Sequence, residues 1–120
     1  MNKEYNITLF GFDFVMSLAP HAYKRSRDRN VCINDIIESL EDSQEAIADY
    51  VQNDTRFVIK NVNKKIMITI CFHYDWIDII TVWNGLDFLI SEGEDVIEIN
   101  RNQIKYYKFT LTKNKKTNII

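Results

Sequence analysis

Three side chains suited to phosphate chemistry recur at a spacing of four within the run HAYKRSRDR. In a helix His21, Arg25 and Arg29 form one stripe, because residues four apart drift by only about 40° around the axis. An imidazole supplies an acid or base near neutral pH, and guanidinium groups bind phosphate oxygens at two points. This spacing predicts a site for metal-free RNA cleavage in which the three side chains share a pocket. The alternative interpretation is an exposed, salt-bridged helix face.

Later residues are candidates to complete such a site. Arg56 is the sole arginine of the predicted central strands, and His73 ends the middle strand. Thr81 and Trp83 lie two apart, and therefore on one face, of the strand that follows. Trp83 is a candidate to stack a base, as in many single-stranded RNA sites. The structural alternatives are a simple β-former at Thr81 and a core aromatic at Trp83.

Other chemistries have no signature here. Glycines at positions 11, 85 and 93 cannot build a glycine-rich phosphate loop. No CxxC, HExxH or EF-hand spacing occurs, so the sequence predicts neither a metal nor a cofactor. Cys32 and Cys71 are expected to be a reduced, buried pair.

The charges are segregated along the chain although the net charge is only −2 and the pI is about 5.6. Residues 35–54 contain seven acids and 75–98 seven more, with no Lys or Arg in either run. Residues 24–29 and the stretch after 100 are basic. We expect a surface that can meet a polyanion on one side or a basic partner on the other.

The elements that must position these residues follow from hydrophobic periodicity. Strands are expected within 5–18, with a bend at Gly11, and a helix is expected from about Pro20 to Arg29, ended by Asn30. Ile33, Ile36, Ile37 and Leu40 mark a second helix. Segment 46–51 fits either a short helix or an extended segment. The remaining predicted strands are 55–62, 65–73 and 76–83, as an antiparallel meander, and the hairpin 96–100 and 104–112.

The predicted fold class is α+β, in which an N-terminal strand and two or three helices pack on the meander and a hairpin is added at the C-terminus. At 120 residues we expect a single domain over 1–120, with a core at about 5–85, a hairpin extension at 86–112 and a frayed tail at 113–120. No apolar run reaches the roughly 18 residues of a membrane span, and no signal-peptide pattern opens the chain, so a cytoplasmic protein is expected.

The run PHAYKRSRDRNVCINDIIESL resembles the opening motif H-A-x-x-R-x-x-x-R-x-[IV]-x-x-x-[DE]-[IV] of the RelE/ParE-like toxins, including BrnT-like toxins. The matching positions are His21, Ala22, Arg25, Arg29, Val31, Asp35 and Ile36. The later ICFHYDWIDIITVW is similar to the closing hairpin of those domains, which are grouped with barnase and colicin nucleases. The resemblance covers about residues 5–85. The acidic pI and the last 35 residues depart from the pattern.

This resemblance implies RNA cleavage by attack of a ribose 2′-hydroxyl on the adjacent phosphate. His21 would act as acid or base, Arg25 and Arg29 would hold the phosphate, and Thr81 would orient it. Arg56, His73 and Trp83 are the further substrate-binding candidates. The predicted function is thus a metal-independent endoribonuclease toxin, with RNA as substrate and a cognate antitoxin or immunity protein as partner.

Two alternatives stay open. One is a non-enzymatic binding protein, an immunity protein or phage-type inhibitor, that uses the acidic runs 35–54 and 75–98 to bind a basic partner. The other is a ParE-like gyrase binder with this fold and no nuclease activity.

Overall fold

The structure, a computed structural model, describes residues 2–51 and 54–110. Its strands are β1 (Lys3–Leu9), β2 (Phe12–Leu18), β3 (Arg56–Asn61), β4 (Ile66–His73), β5 (Trp76–Asn84), β6 (Asp95–Asn100) and β7 (Gln103–Lys108). Its helices are α1 (Pro20–Asp28), α2 (Ile33–Asp42), α3 (Gln44–Ile47) and a 3-10 turn at Ala48–Tyr50. The predicted α+β class is confirmed, and the chain from Gln44 to Tyr50 is helical rather than extended.

The seven strands form one sheet in the order β1-β2-β5-β4-β3-β6-β7. The predicted meander β3-β4-β5 is antiparallel, as expected. Two further joins are parallel, β2 with β5 and β3 with β6, so the sheet as a whole is mixed. A sequence pattern predicts the pairing of strands that follow one another in the chain. Both parallel pairings join strands that are far apart in the chain, so the pattern does not predict them.

Two tight turns bring aromatic residues to one end of the sheet. The β1–β2 turn has Phe10 at φ 55° and Gly11 at φ 78°, the pair of positive angles that a two-residue hairpin turn requires. The bend expected at Gly11 is therefore confirmed. Tyr74, with φ 59°, opens the β4–β5 turn, which joins the paired residues His73 and Trp76.

The central strand β4 is covered on both faces. Ile68, Ile70 and Phe72 belong to the large core under the helices. Met67 faces the other way, into a second cluster with Val58 and Val96. Side chains of the segment after β5 and of the C-terminal stretch pack over this second cluster, namely Leu86, Phe88, Ile90, Tyr107 and Phe109. Both faces of β4 are thus apolar because each face packs into a hydrophobic cluster.

Helix α1 begins and ends where its sequence predicts. Pro20 occupies the first turn, where its missing N–H is not needed, and Asn30 follows the helix at φ 57°. Ala22 and Ser26 are buried, and the Ser26 hydroxyl donates to the Val31 carbonyl at 3.0 Å. This contact ties the end of α1 to the chain that leads into α2.

Strands β6 and β7 form the predicted C-terminal hairpin, and β6 also pairs in parallel with β3. Val96, Ile97 and Ile99 are buried, so the hairpin completes the sheet and shares its core. The predicted frayed tail at 113–120 lies outside the described residues. Within the described part of the chain, no helix has the length and apolar character needed to cross a bilayer.

Candidate functional site

His21 and Arg25 of the predicted stripe lie in α1 and Arg29 directly follows it, and the three side chains have different surroundings. His21 and Arg25 are exposed. Neither lines any of five clefts that the structure forms among residues 2–51 and 54–110. None of these five clefts is therefore the shared pocket that the spacing predicts.

Arg29 instead joins α1 to the sheet. Its guanidinium Nη1 donates to the Val82 carbonyl at 2.6 Å, and the guanidinium lies 4.4 Å from the centre of the Trp83 ring. The side-chain amide of Asn84 donates a hydrogen bond to the Arg29 carbonyl at 2.7 Å. The β2–β5 ladder ends at the pair Leu18–Ile79, so Arg29 covers a carbonyl of β5 beyond the last residue of β2. The structure thus brings together two of the predicted residues, Arg29 and Trp83, through a packing contact.

Thr81 and Trp83 face away from the helical layer. Thr81 pairs with Thr69 and Trp83 pairs with Met67, which belongs to the second core cluster. Trp83 also donates from its indole Nε1 to Asp87 at 2.8 Å. Thr81 is therefore separated from His21 and Arg25 by the sheet itself.

Arg56 and His73 have carboxylate partners. Arg56 Nε donates to Glu94 Oε1 at 3.1 Å. The His73 ring lies between two acids, with Nδ1 2.7 Å from Asp54 and Nε2 3.1 Å from Asp78. A phosphate group at either residue would meet these negative charges, so the two side chains are poorly placed to bind an anion.

The cysteines do not form an activated centre. Cys71 is buried, and burial, followed by the nearby Asp54 and Asp78, raises the pKa of its thiol. A raised pKa keeps the thiol protonated and unreactive at neutral pH. Cys32 is free, as expected, but exposed, so the expectation that both cysteines are buried is wrong. Among the described residues, no group of His, Cys, Asp and Glu is arranged to hold a metal ion.

A cleft of about 630 Å³ lies where the β1–β2 turn, the β4–β5 turn and the 3-10 turn meet. We call it the aromatic–acidic groove. It is lined by Phe10, Phe12, Asp13, Phe14, Ala48, Asp49, Val51, Tyr74 and Asp75. No lysine, arginine or histidine is among these described lining residues.

The aromatic side chains form a packed floor and an open rim. Phe14 is buried and contacts Phe10 and Phe72 edge-to-face, with ring centres 6.1 and 5.8 Å apart. The Phe10 amide donates to Gln44 Oε1 at 2.8 Å, which ties the β1–β2 turn to α3. Phe12 and Tyr74 remain 69% and 81% exposed. Two large aromatic rings in water beside one cleft are typical of a surface that binds a partner.

The acids of the groove come from three separate elements. Asp13 lies at the start of β2 and accepts a hydrogen bond from the Thr8 hydroxyl at 3.2 Å. Asp49 lies in the 3-10 turn and Asp75 lies in the β4–β5 turn. The backbone carbonyl of Asp75 accepts a hydrogen bond from the Val15 amide at 2.9 Å. All three are exposed. Asp49 belongs to the acidic run 35–54 and Asp75 to the run 75–98, so the groove is where the two runs meet.

Sequence reasoning missed this groove. The available signals were an aromatic on each side of Gly11 and the Tyr74–Asp75 turn, but nothing in the sequence shows that the two turns are neighbours. They are neighbours because β2 pairs with β5 in parallel. Comparison of the chain with known protein families, curated proteins and solved structures finds no match.

Proposed function

We propose that this chain is a non-enzymatic binding protein whose partner is a basic polypeptide. The observation that carries the proposal is the aromatic–acidic groove, in which one acid of each acidic run joins Asp13 around two exposed aromatic rings. Carboxylates attract a basic partner and guide its approach, and aromatic residues are frequent among the few that dominate the binding energy of an interface. We place this action in the cytoplasm.

Three of the side chains predicted to hold a phosphate also favour a partner that is not a nucleic acid. Arg29 is engaged by the Val82 carbonyl and the Trp83 ring, Arg56 by Glu94, and His73 by two carboxylates. A protein that binds RNA needs cations that are free to contact phosphates. His21 and Arg25 of the predicted phosphate-binding set are exposed, and neither lines the aromatic–acidic groove.

The test is the binding of a fluorescein-labelled peptide of alternating leucine and arginine, followed by fluorescence anisotropy. The variant Asp13→Asn/Asp49→Asn/Asp75→Asn is expected to bind about tenfold more weakly, since each lost ion pair contributes up to roughly 1 kcal/mol. Binding by the parent chain is expected to weaken steeply with added salt.

The matched control is Glu4→Gln/Glu41→Gln/Asp42→Asn, which changes the net charge equally at exposed acids that do not line the groove. This control should bind as the parent does. Equal losses in both variants would show that only the total charge matters, and no binding by the parent would reject the proposal. Circular dichroism of each variant checks that it is folded.

A metal-independent ribonuclease toxin is the second candidate, and it rests on the exposed His21–Arg25 face of α1. Its test is the profile of total cellular RNA after induction of the chain, beside His21→Ala and Arg25→Ala. Cleavage by the parent that both variants abolish would favour the toxin, for which a cognate antitoxin is then the expected partner. Harmless expression and intact RNA would reject it.

A further inference from the structure

The rim of the aromatic–acidic groove places aromatic rings and carboxylates side by side. Val15 pairs in parallel with Trp76, so Asp13 and Tyr74 each lie two residues before this pair on adjacent segments. Asp75 follows Tyr74 directly, and its backbone carbonyl is held by the Val15 amide at 2.9 Å. A side chain that enters here meets a ring face and carboxylates at the same time.

The aromatic rings and carboxylates of the rim favour a guanidinium over an ammonium group. A guanidinium is planar, stacks on an aromatic face, and donates two parallel hydrogen bonds to a carboxylate. An ammonium is compact and strongly hydrated, so it loses more hydration energy than a guanidinium does when it is transferred to an apolar, aromatic surface. The same chemistry occurs within this chain, where the Arg29 guanidinium lies 4.4 Å from the Trp83 ring centre.

The floor of the groove accepts apolar groups. Phe10, Phe14 and Val51 line it, and Phe14 is fixed by its contact with Phe72. This surface suits the aliphatic stem of an arginine and the apolar residues that flank it. The volume of about 630 Å³ is larger than one side chain, which indicates a short segment of polypeptide as the occupant.

We propose that the groove binds an arginine of the partner polypeptide, with the guanidinium stacked on Tyr74 or Phe12 and paired with Asp13 or Asp75. This inference rests on the proposed function and names the side chain that the groove selects. No residue of α1 lines the groove in which the arginine would bind.

The test compares three labelled peptides in which leucine alternates with arginine, lysine or citrulline. Citrulline keeps the shape of arginine and removes the charge. We expect the arginine peptide to bind about fivefold more tightly than the lysine peptide, and the citrulline peptide to bind at least about tenfold more weakly than the arginine peptide.

Two variants separate the contribution of aromatic stacking from that of pairing with the carboxylates. Phe12→Leu/Tyr74→Leu keeps apolar side chains at both exposed rings and should bring the arginine and lysine affinities together, whereas Asp13→Asn/Asp75→Asn should weaken both. Tyr106→Leu is the control, because Tyr106 is an exposed tyrosine of β7 that does not line the groove.

The outcomes separate this inference from the proposed function. Equal binding of arginine and lysine peptides by the parent overturns the arginine assignment and leaves the binding of a basic partner intact. Equal binding of the citrulline peptide overturns the assignment too, since apolar contact alone would then explain it. Failure of every charged peptide to bind overturns both proposals.

Discussion

At the scale of single residues, Arg29 shows how one side chain is consistent with two different functions until its partners are known. Arg25 lies in the last turn of α1 and Arg29 directly follows the helix, where its amide still donates to the Arg25 carbonyl at 2.9 Å. Arg29 is half-buried, however, and its guanidinium is already bonded to the Val82 carbonyl and stacked on Trp83. We therefore assign it a role in stability.

Arg29→Ala should lower the free energy of unfolding by about 1–2 kcal/mol, because it removes a charge-assisted hydrogen bond and a cation–π contact. Urea denaturation measures this loss. Arg25→Ala, four residues earlier on the exposed face, should change stability by less than about 0.5 kcal/mol. Equal losses in the two variants would contradict the structural role of Arg29.

At the scale of elements, the β6–β7 pair carries a titratable contact. Asp95 is buried and pairs with Lys108 across the two strands, with the lysine Nζ 2.7 Å from the carboxylate. The Lys108 hydrogen bond lowers the pKa of Asp95 in the folded protein, although burial opposes this shift. The ionised carboxylate therefore stabilises this hairpin.

The sign of the pH dependence follows from the direction of this shift. A carboxyl whose pKa is lower in the folded state stabilises the fold above its unfolded pKa, about 4, and this contribution is lost as the pH falls through the folded pKa. Asp95→Asn should thus lower the urea midpoint at pH 7, and the difference from the parent should shrink at pH 3. Glu41→Gln, at an exposed acid of α2, should change neither midpoint. A difference for Asp95→Asn that is larger at pH 3 would contradict the assignment.

At the scale of the whole molecule, the C-terminal hairpin belongs to the sheet. The sequence predicts a core at about residues 5–85, with the rest of the chain as an extension. In the structure β6 pairs with β3, and Val96, Ile97 and Ile99 are buried. Phe88 and its neighbours after β5 cover the second face of the sheet.

A chain that ends at residue 85 should therefore fail to fold. It would leave β3 as an open edge and lose three buried aliphatic side chains, each contributing about 1.5–3 kcal/mol against a total stability of about 5–15 kcal/mol. Circular dichroism and one-dimensional NMR test this expectation. A chain that ends at residue 110 keeps every described element and serves as the control. Cooperative unfolding of the shorter chain would show that the hairpin is dispensable.

The sequence by itself determined the local structure of this protein. The period of two around β4, the helical stripe of α2, Pro20 and Asn30 at the ends of α1, and the Gly11 turn all depend on residues close together in the chain, whose periodicity and backbone preferences act locally. The same local rules predicted the α1 stripe but not what its side chains would contact. Only the tertiary structure decided that Arg29 reaches Val82, and that Asp13, Asp49 and Asp75 meet at one groove. Both results depend on the pairing of β2 with β5 and the packing of helices on the sheet, which join residues tens of positions apart and leave no periodic trace in the sequence.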